Sequence, residues 1–67
     1  MELKKKKMYE DAKEYFSLLE QMTPDKNKQE LERIRERLNL LGKPYADNVA
    51  YIAFLEQKRY LTENKLN

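Results

Sequence analysis

Ser17 is the only serine of this chain, and neither histidine nor cysteine occurs anywhere in it. Catalysis by a hydroxyl or thiol needs an activated side chain with a base beside it, so that chemistry lacks its parts. A phosphate-cradling loop needs several glycines ahead of a helix, and Gly42 stands alone. Carboxylates, cations and tyrosines remain. Glu10, Asp11 and Glu14, and again Glu30, Glu32 and Glu36, are spaced so that a helix could aim them at one divalent ion. Carboxylate-bridged bundles set such residues among apolar core positions and add histidines at fixed spacing. Here they sit among lysines and arginines, so solvated helix surface is the expectation, and no metal or other cofactor is assigned. A chain of 67 residues rarely builds a substrate pocket, so it reads as non-enzymatic, with no small-molecule substrate.

The cations suggest a different chemistry. Lys4, Lys5, Lys6 and Lys7 form a basic start, while Lys26, Arg33 and Arg37 line one side of a second helical segment. Such residues contact phosphates, which makes a small nucleic-acid-associated regulator the alternative reading. Against it, Glu30 interrupts the second set, and Glu30 with Arg33, and Arg33 with Glu36, are spaced for ion pairing within the helix. The stretch "LLGKPYADNVAYIAFL" places a glycine turn between two helices, as a helix-turn-helix does. Its second helix offers Ala, Tyr, Ile, Phe and Leu where base reading needs polar side chains. The five tyrosines, Tyr9, Tyr15, Tyr45, Tyr51 and Tyr60, could stack on bases but mostly lie near apolar stripes, where tyrosine anchors packing.

Membranes fit less well. Glu10, Asp11, Glu14 and Glu20 oppose anionic lipid, and no apolar run approaches the roughly 18 residues of a span. The basic start is not followed by the apolar stretch of a secretory signal, so a cytoplasmic protein without a membrane partner is expected.

The elements that must carry these residues are helical. One glycine, two prolines and an abundance of Lys, Glu, Leu, Ala, Arg and Gln predict an all-α fold. Met8, Ala12, Tyr15, Leu19 and Met22 recur every three or four residues, with Tyr9 and Phe16 beside them, and predict a first helix from Glu2 to Met22. Pro24 suits the first turn of a second helix with Thr23 as its cap, although Asn27 followed by Glu30 is a competing cap. Leu31, Ile34, Leu38 and Leu41 form the second apolar face, closed by Gly42 in a left-handed stop. A third helix from Pro44 to Asn64 then covers the hairpin. Residues 1–67 thus form a single domain, a three-helix bundle, with a basic amino terminus (residues 1–7) and a carboxy terminus (residues 62–67) that fray.

The third helix carries the functional expectation. The run "VAYIAFL", Val49 to Leu55, holds seven apolar residues in a chain that is 39% charged. Ala46, Val49, Ala50, Ala53, Phe54, Tyr60 and Leu61 make one broad side, interrupted by Gln57, which is expected to fill the core. Tyr51, Ile52 and Leu55 are left on a second side. With Leu40, which lies off its own helix's stripe, they are expected to form an interface. Leaving Ile52 and Leu55 bare forgoes roughly 1.5 to 3 kcal/mol each of burial, a large share of so small a domain's stability. The protein is therefore expected to be oligomeric or to grip another protein as an adaptor, regulator or assembly subunit. No disulfide or thiolate- or imidazole-bound zinc is available to support the core instead.

Overall fold

The computed structural model describes the backbone of residues 2–66 and the side chains of residues 5–66. Three helices make up the fold: α1 (Glu2–Gln21), α2 (Lys28–Gly42) and α3 (Val49–Leu66), with a short 3-10 turn over Lys43–Tyr45. No strand occurs among the described residues, so the fold is all-α.

Local chemistry explains where each helix begins. α2 starts at the later of its two candidate caps: Asn27 is extended, with φ −77° and ψ 169°, and its side-chain oxygen accepts the Glu30 N–H at 2.8 Å. That bond satisfies one of the orphan donors of the first turn. Pro24 instead lies in the preceding turn, where the Thr23 hydroxyl donates to Asp25. Asn27→Ala is accordingly expected to cost about 1 kcal/mol, read as a lowered thermal midpoint with the same folded far-ultraviolet spectrum.

Gly42 departs from expectation. Its φ of −82° and ψ of −25° are right-handed, and no residue of the described backbone has a positive φ. The chain runs on into the 3-10 turn, in which Lys43 and Tyr45 carbonyls accept the N–H groups of Ala46 and Asn48. α3 therefore starts at Val49, not Pro44. Asn48 caps it, its side chain accepting the Tyr51 N–H at 3.2 Å and its carbonyl the Ile52 N–H at 3.0 Å. The helix continues through the segment expected to fray, and Leu66 packs against the core.

The helices run up, down and up. Glu14 meets Arg37 across the α1–α2 hairpin, and Asn39 and Arg35 of α2 meet Arg59 and Glu63 of α3, so α2 opposes both neighbours. α1 and α3 run parallel: the Tyr51 hydroxyl reaches the Met8 carbonyl, and further along Phe54 lies edge-on to Phe16. Tyr15, Leu19 and Met22 of α1, Ile34, Leu38 and Leu41 of α2 and Leu55 of α3 form the buried core. Phe16, Leu18, Leu31 and Tyr51 pack partly buried around it. The bundle is a rod, 40 × 17 × 15 Å, with a radius of gyration of 12.4 Å. A compact domain of this length has roughly 11 Å.

α3 is rotated relative to the sequence expectation. Leu55 is only 2% exposed and belongs to the core, with Tyr51 and Ile52 half-buried beside it. Val49, Ala50, Ala53, Phe54, Tyr60 and Leu61 face outward instead. The reason lies in the polar groups that flank the two sides. With Leu55 inward, Arg59 and Glu63 reach Asn39 and Arg35, whereas the opposite rotation would carry Gln57 and Asn64 into the core.

Candidate interaction face

Beside the exposed Glu56, Lys58 and Lys65, α3 carries a neutral exposed stripe made of Val49, Ala50, Ala53, Phe54, Gln57, Tyr60, Leu61 and Asn64. Their spacing keeps them on one side of the helix over its whole length. Val49 is 77% exposed, Tyr60 67% and Leu61 50%. None of the eight is charged, although α3 carries Glu56, Lys58, Arg59, Glu63 and Lys65, all of which lie outside the stripe. Phe54 is the stripe's one aromatic braced from below, edge-on to Phe16 with ring centres 5.5 Å apart, so it is held in place while part of its ring meets solvent.

Ion pairs and a hydrogen bond tie the helices together, while Glu56, Lys58 and Lys65 beside the stripe are exposed. Glu63 accepts from Arg35 at 2.7 Å and from Arg59 at 3.3 Å, and Arg59 also donates to Asn39 at 2.7 Å. Arg37 holds Glu14 in a two-pronged bond, 2.7 Å from Nε and 3.1 Å from Nη2, which keeps the Glu14 carboxyl below its ordinary value. These pairs fasten the helices to one another, and those of Arg59 and Glu63 fix how α3 is turned. The expected pairing of Arg33 with Glu30 and Glu36 does not form among the described residues, and all three are exposed on α2.

No known family, curated protein or solved structure matches this chain. Its function is thus argued from its own surface.

The four residues expected to form an interface are not brought together as one. Leu55 is core, Tyr51 and Ile52 are half-buried, and Leu40 is exposed on α2, on the side of that helix away from its buried residues. The signal for the true outward face was the partition of charge: a broad apolar side containing Gln57 and Asn64 is better suited to a rim of solvent than to a core. The basic residues are likewise separated. Lys5, Lys6 and Lys7 are exposed at the start of α1, with Lys7 3.2 Å from Asp11, while Lys26 lies before α2 at the other end of the rod. Arg37 is engaged by Glu14, and the side chain of Lys4 lies outside the described residues.

Among the described residues no group of three or more His, Cys, Asp or Glu side chains converges. No helix there is long and apolar enough to cross a membrane. Among the described residues one group, Tyr45, is strongly shifted. Tyr45 donates to Asp11 at 2.6 Å and packs against the Tyr51 ring at 4.8 Å; the hydrogen bond to Asp11 pushes its phenol up to about 12. The same bond, joined by Lys7, holds the Asp11 carboxyl below its ordinary value. A raised phenol contributes stability that is complete below its unfolded value of 10.0 and is lost as pH rises from there toward about 12. A lowered carboxyl contributes stability above its ordinary 3.8 that is lost as pH falls through its folded value. Thermal melts of the wild-type chain should therefore drop between pH 10 and about 12 more steeply than those of Tyr45→Phe, which lacks this proton.

Proposed function

We propose that this protein is a small non-enzymatic interaction module, an adaptor, regulator or assembly subunit, that docks through the outer face of α3. The observation that carries this reading is the charge-free stripe from Val49 to Asn64 on a chain that is 39% charged. A solvated helix ordinarily mixes charges over its outer face, and contiguous apolar exposure rimmed by charge is how protein-binding surfaces look. Phe54 and Tyr60 supply large aromatic contact area of the sort that anchors interfaces, and Ala50 and Ala53 let a partner backbone come close. Function on this reading is burial of that stripe in a complex, with no bond made or broken.

Tyr60→Glu tests it. The position is exposed, so the variant should keep its helical content while losing at least tenfold in association, measured both as self-association and as retention of other proteins on the immobilised chain. Lys58→Glu, on the same helix outside the stripe, should leave both unchanged. If Tyr60→Glu changes neither readout, the stripe is not a docking surface.

A further inference from the structure

We infer that the occupant of this stripe is a second copy of the same chain, docked α3 against α3 in antiparallel register about a two-fold axis at Gln57. This inference rests on the docking reading above and goes further by naming the partner and the register.

Area is the first argument. The chain exposes 5491 Å². A folded monomer of its 8.2 kDa mass exposes about 4,500 Å². The rod shape accounts for the excess, so the area that matters is that of the stripe, set against the roughly 800 Å² that a stable pair removes from each partner. With large aromatics presenting 150–250 Å² each, the exposed parts of Val49, Phe54, Tyr60 and Leu61 alone amount to roughly 400–500 Å² per copy. The alanines and the α1 flank add to this.

Shape is the second. Ala50, Ala53, Gln57, Tyr60 and Asn64 follow one another at intervals of three, four, three and four residues, the spacing of a helix–helix seam. In a parallel pair each would meet its own counterpart, setting tyrosine against tyrosine and alanine against alanine. In an antiparallel pair centred on Gln57, Ala53 meets Tyr60 of the second copy, so the large side chain fills the space left by the small one. Phe54 then lies against Leu61 of the second copy on one flank. The Gln57 amide, which both donates and accepts, meets its own equivalent on the axis and satisfies it.

Charge is the third. A two-fold interface sets a surface against itself, which a neutral stripe tolerates and a charged one does not. The net charge of +2 per chain adds little repulsion between copies. The arrangement brings Glu56 near its counterpart on the rim, so Glu56→Gln should tighten the pair severalfold at low salt.

The test uses the full chain, which has no cysteine of its own. Sedimentation equilibrium should show a monomer–dimer equilibrium within the range of ~10 µM to 1 mM expected for a modest interface, changed little by salt. Mild oxidation of Gln57→Cys should then yield a covalent dimer, as should an equal mixture of Ala53→Cys and Tyr60→Cys. Ala53→Cys alone should not crosslink, since antiparallel pairing about residue 57 separates the two equivalent positions by eight residues, about 12 Å along the axis, and a disulfide spans at most about 7 Å between Cα atoms. Crosslinking of Ala53→Cys by itself overturns the register. A monomer over the whole concentration range overturns the second copy as occupant. If that monomer still loses a retained protein on Tyr60→Glu, the docking reading survives and only the identity of the occupant is refuted.

Discussion

Leu55→Asp is expected to leave no measurable folded population at 25 °C, whereas Ala53→Asp, two residues away, should melt within several degrees of the wild-type chain. Leu55 is 2% exposed among Tyr15, Leu38 and Leu41. An aspartate there forfeits roughly 1.5 to 3 kcal/mol of apolar burial and adds several more for an unpaired carboxylate, or for the shift that neutralises it. A chain of this length has roughly 3 to 10 kcal/mol in total at 0.05–0.15 kcal/mol per residue. Ala53 is exposed, so at concentrations where the chain is monomeric Asp there costs about 0.7 kcal/mol of helix propensity and little else. Circular dichroism at 222 nm during thermal and urea titration separates the two variants. The result also decides how α3 is turned, because the opposite rotation exchanges their fates.

Leu38→Ala is the second large effect. Leu38 is 1% exposed, the least of any core residue, at the point where α2 faces both other helices. Truncation there should cost about 2–5 kcal/mol, since three short helices joined by tight turns have little freedom to collapse into the gap. Leu40→Ala, two positions on, removes a side chain that is 58% exposed and should stay within about 0.5 kcal/mol of wild type. Urea midpoints report both. A large loss at Leu40 in the isolated chain would mean that its face is covered after all.

These pairs mark what was legible in the sequence. The stripes of α1 and α2 stood out because each has one apolar side and one charged side, so periodicity leaves a single way to turn them: Tyr15, Leu19 and Met22, and Ile34, Leu38 and Leu41, are all buried. α3 has apolar residues nearly all round, and periodicity alone does not choose between two faces. Counting apolar residues favoured the side with more of them. The fold takes the other because Arg59, Glu63 and the Tyr51 hydroxyl have partners only in that rotation, and such cross-helix bonds depend on pairings that local spacing does not reveal. The Gly42 junction departed from expectation for a related reason. A left-handed stop is glycine's habit, but Pro44 at the start of the 3-10 turn lets the chain continue right-handed, so the glycine's freedom goes unused.

The up-down-up order also gives the rod an electrical head and tail. α1 and α3 both begin at one end and α2 finishes there. Two helix dipoles then oppose one, leaving the equivalent of about half an elementary charge, positive at the end where Lys5, Lys6 and Lys7 also project. At 0.1 M salt this field fades over about 10 Å. That is a quarter of the 40 Å length, so the two ends meet their surroundings independently. In an antiparallel pair the heads point opposite ways and the permanent dipole cancels, so a single rod aligns in a weak electric field at low salt and a paired one does not.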